Sequence, residues 1–155
     1  MATRGTDAIT LLTEDHKAVK KLFKSYQSLV DGNAADEDKQ KLASQICRAL
    51  EVHSQIEEEI FYPAVRAAID DDQLMDEALV EHASAKDLID QIEAMAPGDE
   101  LYDAKVTVLG EYINHHVDEE QGEMFPMAKK AVDVKSLGEA LERRKMELER
   151  ERGAR

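Results

Sequence analysis

Apolar residues recurring every three or four positions are the feature that most restricts how this chain can fold. Ile9, Leu12, His16, Val19, Phe23, Tyr26 and Val30 follow one stripe without a break, while Lys17, Lys20, Lys21 and Lys24 fall on the other faces. That period belongs to an amphipathic helix. Thr6 or Asp7 can cap its start, and Asp31-Gly32-Asn33 ends it. The stripe resumes from about Asp36 to Ile69 through Leu42, Ile46, Ala49, His53, Ile56, Ile60 and Ala64. Pro63 inside this segment should kink the helix or end its regular part. Asp70-Asp71-Asp72 provides a turn and a cap for a third helix, which runs through Met75, Leu79, His82, Ala85, Ile89 and Ile92 to Met95. Ala96-Pro97-Gly98-Asp99 stops it. A fourth helix reads Leu109, Ile113, His116, Glu120, Met124 and Met127, with Pro126 near its end.

No segment sustains a period of two with β-branched enrichment, so the expected fold class is all-α. Short connections should stack the four helices as an up-down-up-down antiparallel four-helix bundle over residues 1–132. Residues 133–155 differ in charge and form an additional charged C-terminal helical tail. They hold 7 basic and 6 acidic residues, whereas residues 1–132 hold 13 basic and 28 acidic ones, a net of −15. In the tail Ser136 can cap a fifth helix with Glu139 as its capping-box partner, and Glu139–Arg143 is a favourable pair. Leu137, Leu141 and Leu148 form a sparse stripe, so residues 136–152 are expected either to dock on the acidic bundle, to meet a protein partner or to stay solvated.

The whole chain of 155 residues carries a formal charge of −14, which argues against nucleic acid or an anionic membrane as a partner. A single cysteine, Cys47, excludes an internal disulfide and any Cys-based metal cluster within one chain, and its helical setting beside Ile46 reads as packing. Residues Met1 to Asp7 contain no apolar stretch of the secretory kind, and no window has the roughly 18 apolar residues of a membrane span. A cytoplasmic protein is the expectation.

Four of the five histidines lie on the apolar stripes, one per helix: His16, His53, His82 and His116. If a stripe covers roughly 3/7 of a helix, four independent histidines would all fall there about 3% of the time. Four imidazoles converging in a dry core could not all be hydrogen-bonded, at a few kcal/mol each, so a metal is the natural solution. His53-Ser54-Gln55-Ile56-Glu57 and His116-Val117-Asp118-Glu119-Glu120 each bring a glutamate four residues later, on the same helix face as the histidine. The spacing from Glu57 to Tyr62-Pro63 repeats from Glu120 to Phe125-Pro126, so the second and fourth helices look like equivalent contributors to one site.

Imidazole with carboxylate suits iron, manganese or zinc. Four nitrogens and two carboxylates fit one octahedral ion. They also fit two ions if Glu57 and Glu120 bridge, with an oxo or hydroxo group bringing each ion to five ligands. Two ions are preferred, and iron before manganese or zinc. The Glu-x-x-His motif of ferritin-type bundles is absent, since Thr13, Leu50, Leu79 and Ile113 precede the four histidines by three.

Over about Ile9 to Lys130 the sequence resembles the hemerythrin-like (HHE cation-binding) family. The resemblance rests on Glu14-Asp15-His16-Lys17-Ala18-Val19, the His53/Glu57 pair, Glu81-His82 and the His116/Glu120 pair. It implies a non-heme di-iron centre held by His16, His53, Glu57, His82, His116 and Glu120, with both glutamates bridging, and O2 or peroxide as the small ligand. Oxygen-carrying members add a fifth histidine four residues from another on the third helix. Ala78 and Lys86 occupy those offsets from His82 here, which implies more open iron sites, faster autoxidation and a capacity to disproportionate peroxide. Iron- or oxygen-responsive regulation is the alternative, along with nitric oxide handling or iron–sulfur repair. His115 is expected at the surface, and Glu58 and Glu81 in solvated or supporting positions. Tyr112 and Tyr26 are candidates to hydrogen-bond a bound oxidant, with Phe23, Ile56, Ile60, Leu109 and Ile113 keeping the cavity dry.

Overall fold

Asp7 opens the first helix: its carboxylate accepts the Thr10 amide at 2.8 Å, and α1 runs from there over Ala8–Asp31. The computed structural model describes residues 6–153; residues 1–5, the greater part of the N-terminal segment, and residues 154–155, with Arg155, lie outside it. Asn33 takes a positive φ of 57° as the chain leaves the helix, and α2 follows over Asp36–Ile56. Asp71 caps α4, Asp72–Glu93, by accepting the Leu74 amide. Leu101, at φ 75°, then starts α5, Tyr102–Glu119. No strand occurs among the described residues, nor any helix long and apolar enough to cross a membrane.

The two internal prolines do not end their helices. Between α2 and α3, Tyr62–Ala68, the five residues Glu57–Phe61 widen into a π-turn, in which the Tyr62 amide bonds to the Glu57 carbonyl. The same device, Glu120–Met124, joins α5 to α6, Phe125–Ala131, with the Phe125 amide on the Glu120 carbonyl. Pro63 and Pro126 stand next in line, and each would press its ring on the carbonyl four residues back in a regular helix. The wider turn relieves that clash and keeps the rod continuous. Glu57 and Glu120 are thereby each the first residue of a π-turn.

The buried apolar residues divide into two clusters. One contains Leu12, Ile56, Ala78 and Met124; the other contains Val19, Leu50, Ala85 and Leu109. Helices α1 and α4 run from the first cluster to the second, and α2 and α5, the latter continued through its π-turn to Met124, run back, each with its histidine near the boundary. The histidines therefore share one layer across the middle of the molecule. Helix α1 packs on α2 and α5, α4 on α5, and α2 on α4.

The tail forms α7, Val134–Gly153, against α1 and α2. Asp133, not Ser136, caps it: the Ser136 amide donates to Asp133 Oδ1 at 3.1 Å. A residue three positions before the first free amide is the better acceptor, and Ser136 already lies inside the turn. Leu141 and Leu148 are fully packed, and the ion pairs cross to the bundle: Arg144 to Glu59 at 2.8 Å, Lys145 to Asp15 at 2.5 Å, Arg152 to Glu51 at 3.1 Å. The approach is closest at Gly138, where a Cβ would meet backbone atoms of Thr6, Asp7 and Ala8 at 2.4–2.7 Å. Rigid backbone cannot yield as a side chain does. Gly138→Ala is expected to lower unfolding stability by ~2–3 kcal/mol in a urea titration. An unchanged midpoint would show that α7 does not stay docked in solution.

Candidate metal centre

The carboxylates of Glu57 and Glu120 have no contact with water, at 0% and 2% residue exposure, in the layer formed by four buried histidines. Such burial is tolerable only if each charge is met. Here each glutamate faces two histidines. Glu57 Oε2 lies 3.3 Å from His53 Nε2 and Glu57 Oε1 3.1 Å from His82 Nε2. Glu120 Oε1 lies 3.1 Å from His16 Nε2 and Glu120 Oε2 3.2 Å from His116 Nε2. The six side chains thus form two groups of four donor atoms that share both carboxylates. Position A has His16, His53, Glu57 Oε2 and Glu120 Oε1; position B has His82, His116, Glu57 Oε1 and Glu120 Oε2.

The Nδ1 atoms point the other way, and each has an oxygen partner. His16 donates to Gln121 Oε1 at 2.7 Å, His53 to Asp15 at 2.9 Å, His82 to Glu58 at 2.7 Å and His116 to Glu81 at 2.6 Å. This outer ring fixes the tautomer that leaves every Nε2 lone pair directed inward. The pattern is a two-fold repeat. The acidic residue just before one histidine of each pair holds the other: Asp15 precedes His16 and holds His53, and Glu81 precedes His82 and holds His116. The residue after each central glutamate, Glu58 or Gln121, holds the remaining histidine.

The repeat breaks at Tyr62. Its hydroxyl sits among the four donors of position B, 3.0 Å from His82 Nε2, 3.1 Å from His116 Nε2, 3.2 Å from Glu57 Oε1, and in contact with Glu120 Oε2. The matching residue on the other side, Phe125, stacks on His16 with ring centroids 5.9 Å apart and offers no hydroxyl. In consequence the four inward atoms of position A, His16 Nε2, His53 Nε2, Glu57 Oε2 and Glu120 Oε1, are buried without a hydrogen-bond partner among the described residues.

These orphaned atoms test the fit of a metal. A cation about 2.1 Å from each donor would space neighbouring donors ~3.0 Å apart in an octahedron and ~3.4 Å in a tetrahedron. The observed separations of 3.1–3.3 Å fall in that range. The donor set fits a metal cation.

Without metal, charge pairing holds the cluster. Burial opposes protonation of His53, but the Glu57 carboxylate and the Asp15 hydrogen bond hold its pKa well above the usual imidazole value. Burial is likewise overcome at His82, raised to about 8 by Glu57 and Glu58, and at His116, raised to about 9 by Glu120, Glu57 and Glu81. Glu57 is held well below the usual carboxylate range, against its burial, by His53 and His82.

A cavity of about 220 Å³ reaches this layer from the surface between Val80, Tyr112 and His115. Its inner wall includes the four histidines with Val19, Leu50, Ala85 and Ile113, and no lysine or arginine among the described residues lines it.

Of the supporting residues named from sequence, Tyr26 does not reach the centre: its hydroxyl donates to Asp103 at 2.7 Å in the other apolar cluster. Tyr112 stands half-exposed at the cavity mouth. Ile113 lines the cavity, whereas Phe23, Ile56, Ile60 and Leu109 do not; Ile56 and Leu109 sit in the two cores. His115 is exposed and pairs with Glu119 at 3.3 Å. Cys47 is buried among the apolar residues, its thiol pushed up to about 12 chiefly by burial. Sequence reasoning missed Tyr62, Asp15 and Gln121. The signals were present in the Tyr/Phe difference between the repeats and in the acid before each of His16 and His82.

Residues 7–128 match the family described as hemerythrin HHE cation binding domain. A DNA nickase from Nostoc sp. strain PCC 7120 is 31% identical over 114 residues, 72% of this chain, and the chain spans only 30% of that protein's length. The crystal structure of a hemerythrin HHE cation binding domain-containing protein from Mycobacterium kansasii has the same fold, with a TM-score of 0.77, 22% identity and coverage of 92% of this chain and 87% of the other. With its buried His/Glu cluster and helical fold, the chain belongs to the hemerythrin HHE cation-binding domain family.

Proposed function

We propose that the chain is a non-heme di-iron protein, built on an up-down-up-down antiparallel four-helix bundle, whose ferrous centre reacts with O2 or peroxide. The observation that carries the reading is the set of four orphaned donor atoms at position A, facing a second set that shares both carboxylates. Reversal of direction between the two apolar clusters supports the topology. The chemistry the two ions would supply is a pair of electrons for a small oxidant.

The protein's own residues set the terms. His16, His53, His82 and His116 would hold the ions through Nε2, each ring fixed by its Nδ1 partner. Glu57 and Glu120 would neutralise charge at both positions. The cavity wall, apolar apart from its histidines and a few polar groups, admits small neutral molecules. A role on DNA is not carried over from the Nostoc relative, since a chain of charge −14 repels phosphates.

Metal analysis with visible spectra of the anaerobically reduced protein, before and after O2 or peroxide, tests the reading. Two irons per chain and a spectral change on oxidation are expected; a metal-free protein that takes up no iron would overturn it. The Tyr62 hydroxyl lies within reach of all four donors of position B and would be a fifth donor there. Tyr62→Phe is therefore expected to abolish the visible absorption of a phenolate on ferric iron while both ions stay bound. A visible spectrum identical to wild type would remove Tyr62 from the ligand set.

A further inference from the structure

Helix α7 begins after the family match ends at residue 128, yet one of its side chains reaches the outer ring of the centre. Lys145 Nζ donates to Asp15 Oδ1 at 2.5 Å, while Asp15 Oδ2 accepts from His53 Nδ1 at 2.9 Å. The Asp15 side chain is 11% exposed, so its charge needs a partner where it stands. Burial would raise its pKa, and the His53 and Lys145 contacts together hold it lowered.

The outer rings of the two positions consequently differ. Position A is backed by the neutral amide of Gln121 and by Asp15, whose charge Lys145 offsets. Position B is backed by Glu58 and Glu81; each is partly exposed, at 46% and 28%, and neither pairs with a lysine or arginine among the described residues. The other tail pairs stop short of the site: Arg144 holds Glu59 and Arg152 holds Glu51, neither of which touches a histidine of the layer.

We propose that Lys145 is a positioning residue of the metal centre: by holding Asp15 against His53, the tail sets the geometry of position A and leaves position B untouched. The inference rests on the di-metal reading. With Lys145 removed, Asp15 becomes a nearly buried carboxylate without its neutralising partner, and turning toward water relieves that cost. His53 then loses the acceptor that fixes its ring. Losing an outer partner of a metal-bound histidine costs roughly 10- to 100-fold in affinity, and Lys145 acts one contact further out.

The test is an anaerobic Co(II) titration of the metal-free full chain, followed by visible absorption. Wild type should bind two equivalents. In Lys145→Met one equivalent should weaken about fivefold and the other stay unchanged, with Lys145→Arg close to wild type. Arg144→Met, which loses a tail pair remote from the histidines, should bind as wild type does. A general loosening of α7 is separated by a double-mutant cycle: in an Asp15→Asn background, Lys145→Met should have no further effect. Circular dichroism on each variant checks that the helices persist. Unchanged binding in Lys145→Met, equal weakening of both equivalents, or a full effect in the Asp15→Asn background would each overturn the assignment. If wild type binds fewer than two Co(II), the di-metal reading fails instead.

Discussion

Glu120→Ala is expected to lose both metal ions, whereas His53→Ala should retain close to one. Glu120 gives one oxygen to the His16 side and the other to the His116 side, at 3.1 and 3.2 Å, so its removal takes a ligand from both positions. It also removes one of the two carboxylates that both groups of donors share. His53 serves position A alone, leaving position B with His82, His116, both carboxylates and Tyr62. Metal content per chain, measured after loading with excess Fe(II) and desalting, distinguishes the two variants. His115→Ala, whose ring is exposed and pairs with Glu119, should bind as wild type does. One ion remaining in Glu120→Ala would show that the carboxylates do not serve both positions.

The six central residues were legible because helices convert spacing into direction. A histidine four residues before a glutamate on an apolar stripe leaves both side chains little choice but the core, whatever the details of packing. The same logic fails for the outer ring. Asp15 and Glu58 sit next to a central residue in sequence, about 100° around a regular helix; that rotation reads as surface for Asp15 and left Glu58 open between a solvated and a supporting position. In the structure Asp15 serves a histidine on the neighbouring helix, and the π-turn brings Glu58 round to His82. Neither cross-helix pairing nor a π-turn has a single-chain period to betray it.

Tyr62 shows the same limit. On an amphipathic stripe it is one more large residue, and only the third dimension places its hydroxyl among four donor atoms. The tail was legible in composition but not in contact. Its Leu141 and Leu148 are too sparse to announce a buried face, yet a docking helix needs few anchors when lysine and arginine stems cover the rest and their charges meet an acidic bundle.

Metal loading is expected to raise the melting temperature by about 10 °C and to flatten its dependence on alkaline pH. In the metal-free protein His53, His82 and His116 are held protonated beside buried carboxylates. The pKa of His82 stands near 8 and that of His116 near 9, both above the unfolded value of 6.5. Groups raised on folding stabilise fully below their unfolded pKa and lose that contribution as pH rises through the folded one. Glu57 and Asp15 are depressed, so their contribution is present above the ordinary carboxylate range and fades as pH falls. The metal-free protein should therefore be most stable near pH 5–6 and lose roughly 5–10 °C between pH 6.5 and 9. Metal must displace the same protons from the histidines, so its binding strengthens over that interval and offsets the loss. Melting curves at pH 6, 7.5 and 9, with and without Fe(II) under argon, read both effects. A metal-free protein equally stable at pH 6 and 9 would show that histidine–carboxylate pairing does not hold the empty centre, and an unchanged melting temperature on loading would show that the orphaned donors do not bind the ion.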